Sequence, residues 1–209
     1  SGPEPRENAA RGQAGGAPLN ILILGGGGRE HALAWAVKQN PKCDRLILAP
    51  GNAGTEALAE NAALDILDAE AVTGFAVENA IDLVIVGPEA PLAAGVADAL
   101  RAAGVLAFGP SAGAARLEAS KTFTKQVCDA AGVPTSGWAH FTEAAAARAH
   151  VAATGAPIVI KADGLAAGKG VTVAMTEAEA LAALDDMFGG AYGAAGAEVV
   201  IEEFMAGEE

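Results

Sequence analysis

Aromatic side chains are scarce, at 4% of 209 residues. A core must therefore be built from Ala, Val, Leu and Ile, which is feasible at this length. Basic residues are few as well: 13 Lys and Arg stand against 26 Asp and Glu, for a formal net charge of −13. That balance excludes general nucleic-acid binding, which rests on neutralising phosphates with Lys and Arg. It also makes each basic residue beside a glycine loop informative. Cysteine occurs only at Cys43 and Cys128, far apart and without CxxC or Cys/His spacing. Both are read in helix-like or helix-end contexts, as thiols of a reducing compartment. No apolar run is long enough to span a bilayer. No charged region followed by an apolar core opens the chain. The expectation is a soluble cytoplasmic protein with neither membrane nor nucleic-acid partners.

Glycine, in contrast, is plentiful, and its most informative use is IVIKADGLAAGKGV, Ile158 to Val171. A β-branched run delivers Lys161. A loop from Gly164 to Gly170 follows, holding Lys169, and a second apolar run begins at Val171. Strand, glycine loop, strand is a way to hold polyphosphate, with loop N–H groups facing the anion and two ammonium groups neutralising it. It is not a P-loop. That motif has four residues between its first glycine and GK, then Ser or Thr, then a helix. Here three residues separate Gly164 from Gly168, Gly170 replaces the hydroxyl, and the continuation is strand-like.

Residues 1–18 hold almost nothing large and apolar and read as a disordered tail. NILIL then reads as a strand ending in Gly25 to Gly28, followed by a helix over Arg29 to Gln39. Further strands are expected at Arg45 to Ala49, Ala63 to Leu67, Asp82 to Val86 and VLAFG, with helices at Ala69 to Asn79 and Leu92 to Ala103. Nearly all-apolar strands alternating with helices imply a parallel sheet covered on both faces. After Gly109-Pro110 the pattern changes. Ala112 to Ala131 reads as two helices meeting near Ala119 and Ser120. A WAHF strand, a helix over Glu143 to Ala153, the IVIKA and VTVAM strands, a helix over Glu177 to Met187 and an EVVIEEF strand follow. This half is α+β with antiparallel character.

Three loops follow strand ends in the first half: Gly25 to Gly28, APGNAGT and VGPEAPL. In an open α/β sheet ligands sit at that edge. The dinucleotide fingerprint fails, because its third glycine would fall at Glu30 or His31 and Pro50-Gly51 replaces the acidic residue after the second strand. A phosphate or other small anion near Arg29 fits better. His31 is a candidate donor, and Glu89 sits in a stiff loop between two prolines.

Six strings carry a resemblance: LGGGGREHALAW, APGNAGT, IVGPEAPL, FGPSAGAARLEASKTFTK, IVIKADGLAAGKGV and VIEEFMAGEE. In order and spacing they resemble the phosphoribosylamine–glycine ligases, the glycinamide ribonucleotide synthetases of purine synthesis, in the ATP-grasp superfamily. The resemblance implies an α/β chain with a Rossmann-like domain over 19–118 and an incomplete α+β ATP-grasp domain over 119–209, its lid at about 136–200. It implies that glycine is phosphorylated by ATP and that 5-phosphoribosylamine then attacks the glycyl phosphate. Such chemistry needs charge clamps more than covalent catalysis.

By the same resemblance, Lys121 reaches ATP phosphate and Lys161 lies on the lid strand. Gly164 with Ala166, Ala167, Gly168, Lys169 and Gly170 closes over the phosphates. Glu202, Glu203, Phe204 and Met205 form the adenine hinge, and Glu209 grips the ribose. Gly27, Gly28, Arg29, Glu30, Asn52, Pro88 and Glu89 lie near the phosphoribosyl substrate. Mg2+ or Mn2+ would accompany ATP, but the family's metal ligands are expected after Glu209. The chain is therefore expected to be an inactive fragment with no catalytic or metal residue assigned. Two other readings are a non-catalytic ATP-binding module and another ATP-grasp ligase of purine synthesis; GREHALAW and PGNAGT argue against the latter.

Overall fold

A computed structural model describes residues 17–165, 170–191, 193 and 198–207. The chain divides into two compact units, Ser1–Ser111 and Ala112–Glu209.

In the first unit, β1 (Leu19–Gly25), β2 (Cys43–Pro50), β3 (Glu60–Asn61), β4 (Leu83–Val86) and β5 (Leu106–Phe108) form a sheet ordered β3-β2-β1-β4-β5. Every pairing in it is parallel. Helices α1 (Gly28–Lys38), α2 (Ala69–Glu78), α3 (Glu89–Ala93) and α4 (Val96–Ala102) connect the strands. Leu22 and Leu24 pack with Val72, Ala76, Val96 and Leu100 in one cluster. Ile21 and Ile23 pack with Ala34, Leu46 and Leu48 in a second. Alternate residues of β1 thus feed two cores, one on each face, as expected of a central parallel strand.

The structure departs from three sequence expectations in this unit. Ala63 to Leu67 is not a strand; the third strand is the short Glu60–Asn61 piece paired with Ile47 and Leu48. Ala62, Leu64 and Ile66 pack on the core from irregular chain, so their alternation mimics a strand. The helix expected over Leu92 to Ala103 begins at Glu89 and is split by Gly95, whose φ of 85° is left-handed. Cys43 also opens β2 rather than sitting in a helical context.

In the second unit, β6 (Trp138–Phe141), β7 (Ile158–Ala162), β8 (Val171–Ala174) and β9 (Val199–Glu203) form an antiparallel sheet ordered β6-β9-β7-β8. Helices α7 (Ala144–Thr154) and α8 (Glu177–Phe188) supply Ala147, Val151, Ala180, Leu184 and Met187 to a core with Ile158, Ile160, Ala162 and Ile201. Helix α5 (Ala112–Ala119) meets α6 (Lys121–Ala131) at Ser120, whose hydroxyl caps α6 by accepting from the Phe123 N–H.

Candidate functional site

At the C-terminal edge of the parallel sheet, three loops are bonded to one another. The Gly51 N–H donates to the Gly25 carbonyl at 3.3 Å, and the Gly87 N–H to the Leu24 carbonyl at 3.1 Å. The Asn52 amide donates to the Gly26 carbonyl at 2.9 Å, and its oxygen accepts from the Gly54 and Thr55 N–H groups. Strand order changes direction between β1 and β4, so this is the switch-point crevice of an open α/β sheet.

Glu30 packs beneath the loops after β1 and β4. It is buried, accepts from the Gly27 N–H at 2.8 Å and from Arg29 Nε at 2.8 Å. A Cβ at Gly25 would lie 2.5 Å from Glu30 Cγ, and one at Gly87 would lie 2.3 Å from Glu30 Oε1. A side chain at either position would thus displace this buried carboxylate. Arg29 also donates to Glu89 Oε1 at 3.0 Å, joining the loops after β1 and β4. The bonds to Glu89 and Glu30 raise the Arg29 pKa above its ordinary value, and Arg29 in turn holds the Glu89 carboxyl below the usual range. Gly27 and Pro88 are the N-caps of α1 and α3, and Gly28 is exposed. A Cβ at Gly54 would meet His31 Cε1 at 3.0 Å, which puts His31 beside the loop after β2.

The second unit holds a buried charge cluster. Glu202 of β9 accepts from Ser136 Oγ at 2.6 Å through Oε2, which also lies 3.1 Å from Lys125 Nζ. Glu202 Oε1 lies 2.9 Å from Lys161 Nζ. Lys125 also donates to Thr135 Oγ1 at 2.7 Å and Ser136 Oγ at 2.6 Å. Burial alone would push the Glu202 carboxyl up. The bonds from Ser136, Lys161 and Lys125 outweigh it and hold the group below the usual carboxylate range.

Lys161 lies on the sheet face away from α7 and α8, since Ile160 and Ala162 beside it enter the helix-facing core. On that same face Lys161 pairs with Val171, and Val159 with Val173. Val171 and Val173 are about half exposed. One cation beside an apolar floor suits a flat apolar ring carrying phosphates. Lys121 Nζ donates to the Ala162 and Gly164 carbonyls at 2.8 and 3.2 Å, at the root of the glycine loop. Gly164 has a φ of 114° and Gly170 is buried. Glu203, the last residue of β9, and Phe204 and Met205 after it are exposed. Ala166, Ala167, Gly168, Lys169 and Glu209 lie outside the described residues.

Sequence reasoning missed Lys125, Ser136 and Asp163. Lys125 carried a signal: it stands four residues after Lys121 on α6, hence on the same helix face. Asp163 is buried and caps α6 by accepting from the Lys121 N–H and Ser120 Oγ. Among the described residues, His140, Asp163 and Glu198 bring ligand atoms within 4.8 Å of one another. They do not fit a magnesium ion. Asp163 is committed to the helix cap, His140 bonds Glu198 at 2.8 Å, and imidazole is a poor partner for so hard a cation.

A Rossmann-like unit followed by an antiparallel sheet with a lysine on the strand before a glycine loop is the plan of an ATP-grasp protein. Family profiles agree. "Phosphoribosylglycinamide synthetase, N domain" matches residues 19–118, and "Phosphoribosylglycinamide synthetase, ATP-grasp (A) domain" matches residues 119–209. The chain belongs to the phosphoribosylglycinamide synthetase family. It is 61% identical over 191 residues to a phosphoribosylamine–glycine ligase of Mesorhizobium japonicum, covering 91% of this chain and 45% of that one. A crystal structure of phosphoribosylamine–glycine ligase from Thermotoga maritima matches 91% of this chain and 45% of that one, with a TM-score of 0.72 and 29% identity. An N5-carboxyaminoimidazole ribonucleotide synthetase in its ADP complex shares the fold, with a TM-score of 0.69 at 21% identity over 92% of this chain and 48% of that one. The chain thus spans about half the length of the relatives it matches. Among the described residues no helix is long and apolar enough to cross a membrane.

Proposed function

We propose that this chain provides the phosphoribosyl-substrate loops and the ATP lid of a cytoplasmic phosphoribosylamine–glycine ligase. In that reaction a glycine carboxylate oxygen attacks the γ-phosphorus of ATP, and ADP leaves. The amine of 5-phosphoribosylamine then attacks the glycyl carbonyl, and phosphate leaves, giving glycinamide ribonucleotide. The observation that carries the reading is the Lys161 face of the second sheet. An apolar floor of Val159, Val171 and Val173 lies beside Lys161 there, and Lys121 reaches the root of the glycine loop. The 61% identity to a named ligase supports the same reading.

In this assignment Lys121 and Lys161 bind the nucleotide's phosphates, with the loop from Gly164 to Gly170 over them. Glu202 to Met205 pair with the adenine edge through their backbone, and Glu209 holds the ribose. Gly27, Gly28, Arg29, Glu30, Asn52, Pro88 and Glu89 line the phosphoribosyl group, Glu30 from beneath the loops after β1 and β4. The nucleotide enters with magnesium or manganese, whose ligands are not assigned to these residues. Domain limits at 19–118 and 119–209 follow the same assignment. Because the chain spans 45% of its relative's length, ligation is proposed for the whole enzyme and nucleotide binding for this chain.

Calorimetric titration tests it. The 209-residue chain is expected to bind Mg-ATP without releasing ADP when glycine is added. No heat with Mg-ATP would remove the nucleotide reading. Glycine-dependent ADP release would show that this chain alone suffices for the first step.

A further inference from the structure

Lys125 is not among the residues that the nucleotide reading uses, and yet it is the most buried cation described in the second unit. Its side chain is 9% exposed and the Glu202 side chain is also 9% exposed. The Lys161 side chain is 26% exposed. The two ammonium groups share one carboxylate in a divided way. Oε2 is taken by Ser136 and Lys125, and Oε1 faces Lys161. Counting charges gives two ammonium groups and one carboxylate, so the cluster carries a net +1.

We infer that Lys125 is a positioning residue whose charge balances Glu202 and so leaves the positive charge of Lys161 available to a bound polyphosphate. The inference rests on the nucleotide reading above. The physical reason is the arithmetic of a partly dry site. Without Lys125, Glu202 and Lys161 form a neutral pair, and an anion gains little by approaching it. With Lys125, the carboxylate is already matched, and a phosphate meets an uncompensated ammonium. Ser136 serves the same end, because its hydroxyl fixes Oε2 on the Lys125 side. Sequestering Oε2 also stops Glu202 from closing on Lys161 with both oxygens.

The test compares three probes on the 209-residue chain: ATP, inorganic tripolyphosphate and adenosine. Wild type is expected to bind all three. In Lys125→Met, ATP and tripolyphosphate are expected to weaken roughly tenfold or more while adenosine is unchanged. Lys125→Arg should restore most of the loss. Adding Glu202→Gln to Lys125→Met should restore anion affinity too, since it removes the negative charge that Lys125 had balanced. A purely structural Lys125 would lose adenosine and ATP together, and the second substitution would not repair it; either result overturns the inference. So does unchanged ATP affinity in a folded Lys125→Met protein. Wild type that binds none of the probes removes the nucleotide reading and this inference with it. Wild type that binds ATP while Lys125→Met binds it equally well removes this inference alone. Hydrogen exchange of the β7–β9 amides checks folding in each variant.

Discussion

One ion pair from each unit marks opposite ends of the burial scale. In the parallel unit the Arg29–Glu89 pair sits at the sheet edge, with side chains 53% and 48% exposed. In the antiparallel unit Lys125 and Glu202 are each 9% exposed. The N···O distances are nearly the same, 3.0 and 3.1 Å. Geometry therefore does not distinguish the pairs; solvent does. An exposed pair gains little because water competes for both ions. A buried pair has given up hydration, so removing one partner strands the other. The parallel unit instead obtains its precision from glycines and backbone bonds, which tie three loops together and pack two of them on the Glu30 carboxylate.

The largest expected effect follows from the buried side. Glu202→Ala should destabilise the second unit by about 3 kcal/mol, because Lys125 loses its counter-charge while remaining enclosed. Hydrogen exchange resolves the units: β7 and β9 amides should lose protection while β1 and β4 amides keep theirs. Equal loss in both sheets would break the comparison. The pH dependence has a definite sign. The Glu202 carboxyl is held below its unfolded value, which is about 4.3. Its contribution is complete above that value and is lost as pH falls through the lower folded value. Acid should therefore weaken β9 protection, and Glu202→Gln should flatten that part of the pH profile.

The next effect belongs to the backbone of the parallel unit. Gly51 has a φ of 71°, and a Cβ there would lie 2.2 Å from Asn61 Oδ1. Asn61 accepts from Thr55 Oγ1 at 2.8 Å and donates to the Asn52 carbonyl at 2.8 Å. Gly51→Ala should cost about 1–3 kcal/mol through strain and the loss of this knot. Urea titration measures it, and a change under 0.5 kcal/mol would show that the loop relaxes freely.

Much of this contrast was legible in the sequence, for reasons that differ between units. Leu22, Leu24 and their neighbours form unbroken apolar runs, which suit a parallel strand covered on both faces. Glycine and proline after each strand marked the three loops. What the sequence concealed depends on distance through space. Ala62, Leu64 and Ile66 alternate like a strand yet have no ladder partner. Glu202 read as one of two adjacent hinge acids, although the pleat puts it on the Lys161 face, where Ser136 and Lys125 bury it, while Glu203 is exposed at the end of the strand. Ser136 and Lys125 gave no local sign of meeting a carboxylate 66 residues further along from Ser136.

The smallest effect is expected at the exposed pair. Glu89→Gln removes the charge but keeps an acceptor within reach of Arg29, which also retains Glu30 at 2.8 Å. Stability should fall by less than about 0.5 kcal/mol, in the range of surface ion pairs. Thermal unfolding of wild type and variant at low and high salt is the measurement. The difference between them should shrink further with salt, since an exposed pair is screened. A loss above 1.5 kcal/mol that persists in salt would mean that Glu89 is held as tightly as Glu202. The parallel unit would then rest on charge as well as on backbone, and the division between the units would disappear.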